Sequence, residues 1–300
     1  MRVGRAVRQF LDRGLVTPEH QPQFESIIAS AMRLRNSVLA EVLLLAFALF
    51  GGYWLRERYL AMDVASWFAA PSDGPLHYTM AGYWYVFVST TVFRFLMLRW
   101  YFRLFVWYRF LWQVARHVRL RLNPLHPDGA GGLAFLSQSV FAFAPVLLAQ
   151  TVALAGVLGG KIWHEGATLP QFKLEIAVWM ILLMLLVLAP LGFFFARLAE
   201  AKRTGLREYG ILASRYVSDF HCKWIEGHAA PEEALIGTAD IQSLADLSNS
   251  FAVVREMRLV PFGKATVLQL ALMIALPLAP LLLTMISLEQ LLDRVVSVLL

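Results

Sequence analysis

Glu41, inside the first long apolar run of this 300-residue chain, and Arg94, the only charge in the second, are candidates for chemistry because of that placement. An ionised side chain at the centre of a bilayer costs roughly 3 kcal/mol, so such groups pair with one another, reach toward headgroups or serve a solute pathway. If the first apolar run enters the membrane from the side to which the second returns, both residues lie in the inner half. They could then pair directly, or Arg94 could reach to the inner headgroups.

A second candidate is the turn 126–132, which reads His-Pro-Asp-Gly-Ala-Gly-Gly. Pro127 stops a helix from continuing, and Asp128 can accept hydrogen bonds from the first free amides of the following helix. Gly129, Gly131 and Gly132 permit positive φ or close backbone approach. One reading is a capped turn. The other is an anion or phosphate site built from helix N-terminal amides, with His126 adding positive charge. The turn lacks the Lys-Ser/Thr ending of a phosphate loop.

Uncharged polar residues in apolar runs form a third set: Gln138, Gln150, Thr151 and Gln269, with Ser137 and Thr284 beside them. They are candidates for a solute pathway or a helix interface. At about 100° per residue Ser137 and Thr151 share a face. Pro145, Pro190, Pro277 and Pro280 each remove the amide that would bond the carbonyl four residues earlier, at Phe141, Leu186, Met273 and Leu276. Such carbonyls either line a pathway or are satisfied by neighbours.

Arg99, Arg103, Trp107 and Trp112 belong to an aromatic and cationic stretch expected to lie at the lipid interface. Voltage-sensor arginines recur every third residue, whereas these occur at 94, 99, 103, 109, 116, 119 and 121. Stepping about 100° per residue scatters them over more than one face, so the pattern fits attraction to an anionic leaflet better than sensing. No HExxH, GxSxG, CxxC or phosphate-loop pattern occurs, and the seven histidines are scattered. The chain is therefore expected not to be an enzyme and to need no cofactor or metal. The single cysteine, Cys222, allows no intrachain disulfide.

The elements that must hold these residues follow from composition. A hydrophobic fraction of 58% and a mean hydropathy of +0.58 exceed what a soluble domain carries, which identifies an all-α, polytopic integral membrane protein. The net charge of +6 does not indicate nucleic-acid binding, because the cations lie between apolar runs and no binding motif accompanies them.

Residues 1–37 read as N-terminal helices, the first amphipathic, able to lie on an anionic membrane or to pack on the protein itself. The first long apolar run starts only at Val38, too late for an ordinary cleaved signal peptide, so the first span is expected to remain in the mature protein. Spans are predicted at 38–55, 80–98, 133–158 and 172–195. The second continues as one helix to Arg121 because no turn residue interrupts it. The loop after the first span carries the turn-forming cluster 71–75, and a short outer loop is expected from Gly159 to Gln171. Residues 197–263 read as a cytoplasmic helical hairpin, its stripe of Tyr209, Leu212, Tyr216, Phe220 and Trp224 facing Ile241, Leu244, Leu247, Phe251 and Val254. Residues 264–300 hold a fifth span and an amphipathic tail.

With the N-terminus inside, about 21 of the 27 Lys and Arg fall on the cytoplasmic side and five outside, the distribution of the positive-inside rule. This predicts a bacterial-type inner-membrane protein, N-terminus cytoplasmic and C-terminus outside, in contact with anionic lipids. The leading functional expectation is a homo-oligomeric channel or transport protein for ions or small solutes. The alternatives are a non-conducting scaffold or sensor whose hairpin binds a cytoplasmic partner protein, and an inner-leaflet lipid-binding protein.

Overall fold

The computed structural model describes residues 2–59, 69–70, 77–230, 235 and 238–285. The turn cluster 71–75 and the tail 288–300 lie outside the described residues. The fold is all-α: helices α1 (Arg2–Asp12), α2 (Gln21–Arg35), α3 (Val38–Tyr59), α4 (Met80–His117), α5 (Ala134–Glu165), α6 (Leu169–Ile225), α7 (Ala239–Glu256) and α8 (Lys264–Met285). Two-residue strands at Ala69–Ala70 and His77–Tyr78 pair antiparallel between α3 and α4. Helices α4, α5, α6 and α8 are long and apolar enough to cross a membrane, and the pair around Ser37, bent by 42°, adds a fifth span if counted as one. The chain is a multi-pass membrane protein. Its apolar side chains face outward along the spans, among them Val152, Val157, Leu174, Leu182, Leu268 and Leu272, as lipid-facing helices require.

The described chain forms two compact units. One comprises residues 23–110; the other comprises 1–22 and 111–300. In the first, Phe24 is fully buried and meets Phe110 edge-on at 6.0 Å, and Trp107 stacks on Phe110 at 5.4 Å. Helix α4 runs unbroken from Met80, with one wider π turn at Trp84–Ser89 where the Thr90 hydroxyl donates to the Tyr85 carbonyl. Absence of glycine or proline after Gly82 leaves nothing to end it before His117.

In the larger unit, α5 opens as a 3-10 helix over Ala134–Phe143 and becomes α-helical at Ala144, with Pro145 in its first turn. Proline fits there because a first-turn amide needs no intrahelical acceptor. The carbonyls expected to be freed are partly reclaimed by the tighter turn: Phe141 accepts from the Ala144 amide, and Leu276 from that of Ala279. Helix α5 also runs through Gly159 and Gly160 and stops only at Gly166, which takes φ +67°, so the expected outer loop is shorter than 159–171. Gly159 sits where a Cβ would meet Leu281 at 3.4 Å, a close helix contact rather than a turn. Leu158, Phe172, Leu278 and Leu281 form the apolar cluster at this end, which sets α5 and α8 side by side.

Helix α6 is a continuous 57-residue element, containing the predicted span 172–195 and bending through a 3-10 turn at Ala189–Phe194. At about 1.5 Å per residue its contour is roughly 85 Å, against about 30 Å of hydrocarbon, so most of it stands beyond a bilayer core. There α7 packs antiparallel on it: Gly205 lies against Val254, Gly210 against Phe251, and the Tyr216 hydroxyl donates to the Asp240 carbonyl at 3.0 Å. Helix α1 uses its apolar face on the protein itself. Phe10, fully buried, meets Phe135 edge-on at 5.2 Å and Phe194 at 6.3 Å.

Candidate functional site

The turn 126–132 is the junction on which the larger unit is assembled. Asp128 Oδ1 accepts from the amides of Ala130 (2.8 Å) and Gly132 (3.1 Å), and its Oδ2 from that of Ala134 (3.0 Å). Gly129, Gly131 and Gly132 all take positive φ, at 62°, 62° and 98°. The Asp128 side chain is only 15% exposed. Burial pushes its carboxyl upward, but the three amide bonds and the His126 imidazole outweigh that and hold it below the usual carboxylate range. His126 Nδ1 lies 3.2 Å from the Asp128 amide and 3.0 Å from Oδ1, so the neutral ring accepts from the amide and the protonated ring donates to the carboxylate.

This geometry corrects the anion-site expectation. The amides that would cradle a phosphate are already bonded to the chain's own carboxylate, and a second anion there would meet its negative charge. Other segments fasten to the same turn. Arg258 donates from its side chain to the carbonyls of Asp128 and Gly129, and its backbone amide donates to Gly129 at 2.8 Å. The Arg13 guanidinium reaches the Gly132 carbonyl at 3.4 Å and covers the Phe135 ring at 5.1 Å. The Arg121 amide donates to the Leu15 carbonyl at 2.7 Å. Two further cations satisfy helix C-terminal carbonyls nearby: Arg197 bonds Ala115 at the end of α4, and Lys202 bonds Met257 at the end of α7.

Between α1, the 3-10 opening of α5 and the second turn of α8 lies a cleft of about 510 Å³, lined by Arg5, Gln9, Phe135, Gln138, Ser139 and Gln269 with flanking apolar atoms. Its α5 wall is one eclipsed face of the 3-10 helix, since Phe135, Gln138 and Phe141 recur every three residues. The cleft brings together two of the sequence-selected polar residues, Gln138 and Gln269. It adds Arg5 and Gln9, which sequence reasoning did not select for this role although Gln9 follows Arg5 by one helical turn. Among the described residues, the side chains of Arg5, Gln9, Gln138 and Gln269 make no hydrogen bond to the protein. Ser139 is satisfied by the Leu136 carbonyl at 2.6 Å.

Gln150 and Thr151 do not join this cleft. Thr151 is fully buried and its hydroxyl donates to Leu147 at 2.9 Å, while Gln150 is half-buried and engaged within the protein. Ser137 likewise bonds the Ala134 carbonyl. Ser137 and Thr151 are both buried.

In the smaller unit, Glu41 pairs with Arg99 at 2.7 Å, not with Arg94. Glu41 lies in the first turn of α3, and Arg99 is five residues beyond Arg94 along α4, about 7.5 Å closer to the end where such a residue can be reached. Both partners are about half exposed, at 46% and 42%. Glu41→Gln is therefore expected to lower stability in detergent by at most about 1 kcal/mol, and a double-mutant cycle with Arg99→Gln reads the coupling directly. Arg103 lies over the Trp100 ring at 5.2 Å. Trp112 is 44% exposed, but Trp107 is only 3% exposed. Trp107 belongs to the buried stripe Leu104, Trp107, Leu111, Val114 and Val118, spaced three and four residues apart, so it packs inside the protein and not at the lipid boundary.

At the far end of α6, Lys223 Nζ and Trp224 Nε1 both donate to Asp240 Oδ2 at 2.9 Å, which pins the start of α7 and holds the Asp240 carboxyl below its ordinary value. No protein-family model, no curated protein and no solved structure matches the chain.

Proposed function

We propose that the protein is an inner-membrane transport protein that admits a small, polar, negatively charged solute through the cleft between α1, α5 and α8, and that it works as a homo-oligomer. One observation carries this reading. Three carboxamides and one guanidinium, those of Gln9, Gln138, Gln269 and Arg5, converge on the cleft without hydrogen-bond partners among the described residues. Carboxamides offer both donors and acceptors, and the guanidinium adds a charge that favours an anion. Gln138 and Gln269 lie near the starts of two spans, α5 and α8, so a solute held there stands at the entrance to the membrane. The distribution of Lys and Arg supports a cytoplasmic N-terminus, which puts the cleft on the inner side.

Purified protein in liposomes is expected to pass small organic or inorganic anions. Gln138→Leu and Gln269→Leu should each weaken the half-saturating concentration by about five- to tenfold, the loss of roughly one net hydrogen bond. Vesicles that stay tight to a panel of anions at several pH values and potentials would overturn the proposal.

A second reading, a non-conducting scaffold, is favoured by the outward apolar side chains of Ile211, Leu212 and Val217 on α6 and Ile241 and Val253 on α7. In that case lysine at Leu212 or Val217 abolishes the cellular function, while Gln138→Leu leaves it intact.

A further inference from the structure

Cys222, Glu226 and His228 bring a thiol, a carboxylate and an imidazole to one face of the turn that ends α6. Their ligating atoms all lie within 4.8 Å of one another. Cys222 Sγ is 3.7 Å from His228 Nδ1, and that nitrogen is 3.8 Å from Glu226 Oε2. A tetrahedral ion with bonds of about 2.3 Å to sulfur and about 2.05 Å to nitrogen or oxygen would set those pairs about 3.5 Å and 3.3 Å apart. These two pairs need to close by only a few tenths of an ångström, and the Cys222–Glu226 pair already lies within 4.8 Å. We infer that Cys222, Glu226 and His228 form a site for a divalent transition-metal ion, of which zinc matches the donor set best.

The donor set discriminates among ions. Thiolate with imidazole selects zinc, or cobalt in its place, over the hard cations magnesium and calcium, which take oxygen ligands. Three protein ligands leave one position for water or for His221, whose Nε2 lies 3.8 Å from Glu226 Oε1. The backbone supports the cluster. Residues His221–Ile225 form a wider π turn, and Gly227, at φ +81°, folds the chain back so that His228 returns beside Cys222. His228 Nδ1 also lies 3.0 Å from the Cys222 carbonyl, so metal binding through Nδ1 requires the ring proton to sit on Nε2. All three ligands are exposed, which leaves that exchange and the approach of an ion unobstructed.

Without an ion, local desolvation and the carboxylates of Glu226 and Asp219 hold the Cys222 thiol above its usual range. A divalent cation reverses that field: the thiol proton leaves to solvent, the thiolate binds, and Glu226 changes from a repelling neighbour into a ligand. The adjacent Lys223 and Trp224 bonds to Asp240 mean that an ion here would fix the point at which the chain leaves α6 and from which α7 is reached.

The test uses the full chain, free of any affinity tag, stripped with a chelator in detergent and titrated with cobalt(II). One equivalent should bind, with thiolate-to-cobalt charge transfer in the near ultraviolet and tetrahedral bands in the visible, and zinc should displace it. Because Cys222 is the sole cysteine, the charge-transfer band reports this site alone. Cys222→Ser should abolish the band, and His228→Ala and Glu226→Gln should each weaken binding on the order of a hundredfold or more while leaving helix content unchanged. A missing charge-transfer band overturns the assignment, as does a band whose affinity survives both His228→Ala and Glu226→Gln.

Discussion

Asp128→Ala is expected to destabilise the protein by about 2–4 kcal/mol, more than an ordinary helix cap, because one carboxylate serves three amides in a half-buried turn. Removing it leaves the Ala130, Gly132 and Ala134 amides without acceptors where α5 begins. It also frees the carbonyls of Asp128 and Gly129 to move away from Arg258, and the carbonyl of Gly132 from Arg13, so the loss spreads to α1 and to the segment before α8. Asp128→Asn keeps an oxygen acceptor and is expected to cost about half as much.

The two substitutions also differ in acid. The native carboxyl is held below its unfolded value of 3.8, so the unfolded chain takes up this proton first as the pH falls. The stabilisation from Asp128 is complete above that value and is lost as the pH drops through the depressed native one. Thermal unfolding in detergent should thus show an acid-side decline in the parent protein that is shallower in Asp128→Asn. A parent and an alanine variant with the same midpoint at neutral pH would reduce the turn to a connector.

Why this turn was legible in the sequence, while the cleft was not, follows from the range of the interactions. Asp128, its three amide donors and its glycines lie within seven residues, so residue type alone predicts the bonds. Helix α4 was legible for a similar reason, since nothing between Tyr83 and His117 can end it, although it stops at His117 and not at the expected Arg121. The partner of Glu41 depends on how deep each of two helices begins, and a five-residue error in that depth exchanges Arg99 for Arg94. The cleft depends on a 3-10 segment whose faces advance by about 120° per residue, which regroups Phe135, Gln138 and Phe141 and buries Ser137. Trp107 was misplaced because aromatic content suggested an interfacial belt, although its spacing from Leu104, Leu111 and Val114 carried the signal of a buried stripe. The anion site failed on a subtler point: the same carboxylate that makes a good cap also fills the position an anion would occupy.

Gly205→Val is the substitution expected to separate α6 from its neighbours. A Cβ at Gly205 would stand 2.8 Å from both Cβ and Cγ of Pro124 and 3.0 Å from Val254 Cγ1. Neither neighbour can give way easily, since the proline ring is tied to the backbone and Val254 is fully buried. Alanine would gain about 1 kcal/mol in helix propensity and lose about 1–3 kcal/mol to overpacking, a net destabilisation. Valine adds two methyl groups to the same contact and a stiff rotamer, so its cost is expected to reach about 3 kcal/mol or more. Gly210, in the same helix and facing the same partner, supplies the control. Its nearest neighbour, Phe251 Cε2, is 3.7 Å from a Cβ built there, an ordinary contact, so Gly210→Ala should be neutral or stabilising by up to about 1 kcal/mol. Unfolding midpoints for the two alanine variants should therefore move in opposite directions or differ by at least about 1 kcal/mol. Equal midpoints would mean that Gly205 is not the point where α6 closes on Pro124 and α7, and that the close approach there yields without cost.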